Sequence, residues 1–354
     1  MKAALIGPML SGKSSLFGAI TGQSLDPTRM GKEQLATVHV PDPRLKWLAE
    51  HYKPKKLTEA SFEVLDIPGF SQETPQQQAE FKRHVPNLRT CDGLVAVVRA
   101  FEDDAVPPYR NRIDPVADID ELYSELVFAD LEVATRRIER LEKDVHKPTP
   151  TQDQDKRQLI LLGEMRDAWE AEQPYDDSGW NVDDRKLMSS FAFLSHKPLV
   201  VVVNVGEADV SSPPTLTFAH ARTVISCCAQ VEQEIAQLDE DDRRVFMEDL
   251  GLAEPARDRL IHACYEALGL ISFLTYGEDE CRAWTIPNHA SAVEAASKIH
   301  SDIARGFIRA ETVAFEDLRQ AGDMKAAKAA GKIRLEGKTY PVADGDCITF
   351  RFSV

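Results

Sequence analysis

GPMLSGKS, residues 7–14, fits the pattern G-x-x-x-x-G-K-[ST], and its reading decides the fold. It stands between a short apolar run, KAALIG (2–7), and SSLFGAITG (14–22), where Leu16, Phe17 and Ile20 recur at helical spacing. Strand, glycine loop and helix in that order are what a phosphate cradle requires. Gly12 lets the chain turn so that successive N–H groups face phosphate oxygens. Lys13 supplies a compact positive charge to the β- and γ-phosphates, and Ser14 offers a hydroxyl to Mg²⁺. The helix that starts here aims its positive end at the same anion.

Further runs fit one sheet with that strand. FEVLDIPGF (62–70), GLVAVVRAF (93–101) and PLVVVVNVG (198–206) are nearly continuous apolar stretches, as in parallel strands covered on both faces, and TVISCCAQ (223–230) is a shorter one. Two of them end in polar signatures. Asp66-Ile67-Pro68-Gly69 places a carboxylate where it reaches a Mg²⁺ shell through water and a Gly69 N–H where it meets a γ-phosphate. Asn204-Val205-Gly206-Glu207 stands where GTPases carry N-K-x-D, with Val for Lys and Glu for Asp, so guanine recognition is not expected of it. Between the third and fourth runs, Val127, Leu131, Ala134, Ile138, Leu141 and Val145 repeat at four-three spacing. A breaker, KPTPTQDQ (147–154), follows, then a second helical stretch with Leu159, Leu162, Met165 and Trp169 on one face. These predict a helical hairpin inserted into the sheet domain. The C-terminal part is β-rich, with Gly and Asp turns between LISFLTY, CRAWTIP and CITFRFSV.

Composition narrows the function. The 354 residues suffice for two or three domains. The net charge of −16 disfavours binding of duplex DNA through bulk charge. No apolar run is long enough to span a bilayer, and MKAALIGPML runs into SGKSS without a cleavage pattern, so neither a membrane nor a secretory destination is expected. Six cysteines without a C-x-x-C pair or zinc spacing fit a reduced, cytoplasmic interior. The adjacent Cys227 and Cys228 read as packing residues, and Trp284 as core. The most basic local stretch, Lys325, Lys328, Lys332, Arg334 and Lys338, is either a solvated helix face or a contact for rRNA phosphates.

Over nearly its whole length the chain resembles the Obg-like ATPases of the YchF type. The matching segments include VPDPRLKWLAEHYKPKK (40–56), VVRAFED (97–103), ELVFADLEVATRRIERLEK (125–143), NVGE (204–207) and CAQVEQEIAQL (228–238). The C-terminal GFIRAETVAFEDL (306–318) and AAKAAGKIRLEGKTYPVADGDCITFRFSV (326–354) resemble the family's TGS domain. The resemblance implies an α/β P-loop G domain (1–118 and 196–270), an inserted coiled-coil hairpin (119–195) and a β-grasp-like TGS domain (271–354). It also implies ATP with Mg²⁺, association with the ribosome, and nucleotide contacts from Gly7, Leu10, Ser11, Gly12, Lys13, Ser14, Ser15, Gly69, Asn204, Val205 and Glu207, with Ser14 and Asp66 at the metal. Val205 falls where the family's backbone meets adenine.

Several positions depart from the family pattern. The loop reads LSGKSS (10–15) where relatives usually have Asn-Val-Gly-Lys-Ser-Thr. The first switch stretch is shorter, leaving Thr28 as a loose counterpart of the Mg²⁺-binding threonine. FSQETPQQQAEFKRH (70–84) has no glycine where the family is glycine-rich, which predicts a stiffer or more helical segment. Gapless alignment puts Pro108 at the family's catalytic His position, and proline can neither move a proton nor orient a water. Hydrolysis is therefore expected to be slow or to use another group, with His84 and Gln76–Gln78 nearby. A hydrolysis-deficient nucleotide-binding adaptor and a GTPase remain the alternatives.

Overall fold

A computed structural model describes residues 1–23, 31–71 and 74–353. Thr28 lies outside the described residues. Along the chain come β1 (Lys2–Ile6), α1 (Lys13–Thr21), β2 (Gln34–Val40), α2 (Pro43–Tyr52), β3 (Lys56–Thr58), β4 (Ala60–Asp66), α3 (Pro75–Arg89), β5 (Gly93–Ala100), α4 (Pro115–Asp144), α5 (Gln152–Glu170), α6 (Val182–Met188), β6 (Leu199–Val205), β7 (Thr223–Cys227), α7 (Ala229–Ile235), α8 (Glu240–Asp249) and α9 (Ala256–Ala267). The C-terminal part adds β8 (Leu270–Thr275), β9 (Glu280–Pro287), α10 (Ala292–Ile299), α11 (Ser301–Arg305), β10 (Phe307–Ala314), α12 (Phe315–Ala321), α13 (Met324–Ala329), β11 (Arg334–Glu336) and β12 (Asp346–Phe352). The chain divides into two compact units, one of residues 1–35 and 64–253, the other of residues 36–63 and 254–354.

One sheet has the order β2-β4-β1-β5-β6-β7, and of its strands β1, β5, β6 and β7 lie wholly in the first unit. β1, β5, β6 and β7 run parallel, with Ala3 beside Gly93, Leu94 beside Leu199 and Val200 beside Thr223. All of β6 and all of β5 but its last residue are buried, which accounts for their unbroken apolar sequence. Sequence reading missed β2, although QLATVHV alternates in burial with a period of two.

The hairpin is present as α4 and α5, with Asp114 capping α4 through the Ala117 N–H at 3.1 Å. Ala134, Ile138 and Leu141 of α4 form one cluster with Leu161, Leu162, Met165 and Trp169 of α5, and Val127 and Leu131 pack partly buried against it. The four-three positions thus face the hairpin core, while Leu126 packs into the core of the sheet instead. Asp130 is fully buried and accepts from Arg89 Nη1 at 2.7 Å, from the N–H groups of Leu194 (3.0 Å) and Ser195 (2.8 Å), and from Ser195 Oγ (2.9 Å). On α5, Leu162, Met165 and Trp169 are buried as expected.

The second unit carries a mixed sheet of order β11-β10-β12-β8-β9-β3. α10 lays Ala292, Ala295 and Ala296 on its core of Phe273, Ile286 and Ile348. The segment 36–63 supplies β3, parallel to β9, and α2, whose Arg44 bonds Asp42 at 2.9 Å and Asp344 at 2.6 Å. Trp284 packs against this core, stacked on Phe273, with Nε1 donating to Thr275 Oγ1 at 2.9 Å. In the basic stretch, Lys332 pairs with Asp317 and Arg334 with Asp346, so part of its charge is already compensated within the fold.

Candidate nucleotide-binding site

The loop after β1 is held open by two steric necessities. Gly7 has φ +149°, and a Cβ there would sit 2.3 Å from the Val97 carbonyl oxygen of β5. Gly12, at the start of α1, has φ +88°, and a Cβ there would lie 2.0 Å from Asn204 Nδ2. The loop crest between them is exposed, with Leu10 at φ +61°. From the other side the segment after β4 pins it: Phe70 N–H donates to the Gly7 carbonyl at 3.0 Å, and Met9 N–H to the Phe70 carbonyl at 3.1 Å. The Phe70 ring is buried against Phe81 and Tyr109.

Lys13 and Asp66 face each other at the floor of this loop. Lys13 Nζ donates to Asp66 Oδ1 at 2.6 Å and to the Ile67 carbonyl, and both side chains are buried. Burial pushes the Asp66 carboxyl above the ordinary carboxylate value, against the opposing pull of the Lys13 ammonium and a hydrogen bond from Ser14. The buried Ser11 hydroxyl has no hydrogen-bond partner in the structure, an unspent polar atom inside the loop. Ser14 and Asp66 are hard oxygen donors in contact, a donor set that fits Mg²⁺. No cluster of three or more His, Cys, Asp or Glu residues suited to a metal occurs among the described residues.

Around this floor lies a cleft of about 790 Å³ at the carboxyl ends of the parallel strands. It is lined by the whole loop Pro8–Ser15, by Gly69, and by Asn204, Val205 and Glu207 after β6. Gly7 stands just behind it as the hinge. Asn204 works as a clamp. Its Nδ2 donates to the Ser11 carbonyl and its Oδ1 accepts from the Ala229 N–H, both at 2.9 Å, so the side chain is spent on tying the phosphate loop to the start of α7. Pro108 caps a short turn, Tyr109–Asn111, and is not among the residues that line the cleft.

Of the nearby groups named from the sequence, His84 and Gln77 line the cleft, whereas Phe101 and Gln230, which also line it, were given no role. Phe101 and Gln230 follow β5 and β7 directly, and the rule that open parallel sheets bind ligands beyond their strand ends would have found them. Arg99 orients Phe101, with its guanidinium 4.3 Å from the ring centroid and its Nε donating to the Phe101 carbonyl at 2.9 Å. The segment after Gly69 is helical as expected. Thr74 and Gln77 form a capping box, and α3 turns Gln77, Glu80, Phe81 and His84 to the cleft. Cys227 and Cys228 are buried and in no disulfide, in keeping with a packing role, although Cys228 also touches the cleft.

A glycine loop and a helix start at the carboxyl edge of a parallel sheet, with a lysine, a serine and an aspartate converging there, define a P-loop nucleoside-triphosphatase domain. A family model described as "50S ribosome-binding GTPase" matches residues 2–131, and the C-terminal YchF-GTPase model, described as "Protein of unknown function (DUF933)", matches residues 270–353. The chain is 38% identical to the "Ribosome-binding ATPase YchF" of Bacillus subtilis, with all of both chains covered, and 35% identical to that of Haemophilus influenzae, covering all of this chain and 99% of that one. It also resembles the solved structure of the Schizosaccharomyces pombe YchF GTPase, with a TM-score of 0.83 and 26% identity, over 99% of this chain and 97% of that one. The chain belongs to the YchF family.

Among the described residues, no helix is long and apolar enough to cross a membrane.

Proposed function

We propose that this chain binds ATP with Mg²⁺ in the cleft, hydrolyses it, and uses its nucleotide state to regulate association with the ribosome in the cytoplasm. The observation that carries the choice of base is the end of β6. Val205 is buried at the strand end and Glu207 lines the cleft, where a guanine reader needs a lysine and an aspartate. Relatives' names differ between ATPase and GTPase, so the preference rests on these two residues.

In this reading Lys13 leaves Asp66 and the Ile67 carbonyl to meet the incoming phosphates. Ser14 and Asp66 then hold the Mg²⁺, which when bound neutralises charge between the β- and γ-phosphates. The loop N–H groups and the start of α1 orient the triphosphate. α3 connects the cleft to the hairpin: its inner face lines the cleft, while Lys82 pairs with Glu132 at 2.8 Å and Arg89 with Asp130 at 2.7 Å, both on α4. Reordering of α3 around a γ-phosphate therefore moves the hairpin, which together with the TGS module is the surface a ribosome would read. The residue ranges 1–118, 119–195, 196–270 and 271–354 are our proposed functional partition.

The double substitution Val205→Lys with Glu207→Asp tests the base assignment. A good bidentate base contact is worth about 1–3 kcal/mol. The wild type is expected to prefer ATP over GTP by about tenfold or more, and the double variant to lose at least about tenfold of that preference, read by competition against a fluorescent nucleotide. A wild type that prefers GTP overturns the assignment. Co-sedimentation with ribosomes in ATP, in ADP and without nucleotide reads the partner: pelleting that does not change with nucleotide contradicts the regulatory role. Binding without turnover would leave the adaptor alternative.

A further inference from the structure

The inner face of α3 brings one titratable ring into the cleft wall. His84 Nδ1 lies 2.6 Å from Glu33 Oε1, and Asn87 Nδ2 donates to both oxygens of the same carboxylate at 2.8 Å. A carboxylate can only accept, so the proton of the neutral ring sits on Nδ1 and the lone pair on Nε2. Among the described residues Nε2 has no hydrogen-bond partner. The ring is 16% exposed and Glu33 30%, so the pair sits at the edge of the cleft, within reach of water but largely shielded from bulk solvent. Burial raises the Glu33 carboxyl, but the hydrogen bonds from Asn87 and His84 and the charges of His84 and Lys2 outweigh it and hold Glu33 below its ordinary value. The carboxylate beside the ring is thus favoured in its ionised form.

We propose that His84 is the catalytic base for hydrolysis of the bound triphosphate, with Glu33 as its positioning residue. The inference rests on the ATP reading above and names the group that does its chemistry. A water between the γ-phosphate and His84 gives its proton to Nε2 as its oxygen bonds the γ-phosphorus. The bond from that phosphorus to the bridging oxygen breaks, and its electron pair stays on the β-phosphate of ADP. Inorganic phosphate and ADP leave, and the imidazolium returns its proton to solvent. Glu33 holds the ring in the tautomer this step needs and stabilises the imidazolium that forms, the logic of a base oriented by a carboxylate.

Other charged groups share the site. Glu33 and Lys32 lie on the segment before β2, Glu80 on α3 itself, and Lys2 of β1 acts on Glu33. Lys13, Asp66, Glu102 and Asp103 line other parts of the same cleft.

Single-turnover ATP hydrolysis against pH, with ATP titrations of the same samples, tests this in the wild type, His84→Ala, His84→Gln and Glu33→Gln. Ring NMR of His84 in the nucleotide-free protein supplies a readout separate from turnover. His84→Ala and His84→Gln are expected to lower the rate about 100-fold and abolish its acidic limb, with the affinity for ATP within about threefold of wild type. Glu33→Gln is expected to lower the rate, with the affinity for ATP within about threefold of wild type, and to change the tautomer of the His84 ring seen by NMR, because the carboxylate that fixes the proton on Nδ1 is gone. A His84→Ala variant that melts as wild type and keeps its rate and limb overturns the proposal, as does a wild type that binds ATP without turnover. A wild type that fails to bind ATP sinks the underlying reading and the base with it; retained binding with an unaffected variant sinks the base alone.

Discussion

Lys13→Ala is expected to weaken binding of ATP with Mg²⁺ by at least about 100-fold. Hydrogen bonds to charged groups are worth about 1.5–3 kcal/mol each, and the ammonium now spent on Asp66 and the Ile67 carbonyl would spend at least two on phosphate oxygens. The fold is expected to survive. Without the ammonium, the Asp66 carboxyl, already raised by burial, loses the main pull toward its charged form, which eases the charge left behind. Competition titration measures the affinity and circular dichroism the fold. A variant within about tenfold of the wild-type affinity would mean that Lys13 is only an internal ion-pair partner.

The second large effect is structural. Asp130→Ala is expected to cost about 3–5 kcal/mol, because it leaves the largely buried Arg89 guanidinium without its counter-charge and the Leu194 and Ser195 N–H groups without their acceptor. For a unit of this size that corresponds to a fall in melting temperature of roughly 10 °C. The same change removes one of the ties between α3 and α4 and leaves Lys82–Glu132 and the bond from Arg89 to the Ala129 carbonyl, so nucleotide-dependent ribosome binding should weaken even below the melting temperature. A midpoint within about 2 °C of wild type would mean that water replaces the carboxylate at no cost. Hydrogen exchange of the α3 amides, measured on the same variant, would show whether the cleft-lining helix loosens with it.

Local pattern carried much of this architecture. The glycine loop needs its residue types at fixed spacing, and the buried strands β5 and β6 are apolar at nearly every position, so both are written in contiguous sequence. The hairpin was legible for the same reason, but the buried Asp130 between its seam positions was not, because its partners Arg89 and two backbone N–H groups arrive from distant parts of the chain. What was not legible depends on such meetings. Residues 36–63 look like a G-domain segment but supply α2 and β3 to the C-terminal unit. Asn204 stands in the base-reading motif, yet its side chain is taken up by Ser11 and Ala229. The pairing of His84 with Glu33 joins residues 51 apart, and neither gives any local sign of it.

Calorimetric titration of the nucleotide-free protein with ATP and Mg²⁺ tests the central claim, that this loop holds a triphosphate. One site per chain is expected, with a heat that vanishes in Lys13→Ala. No heat in the wild type with either ATP or GTP would contradict it.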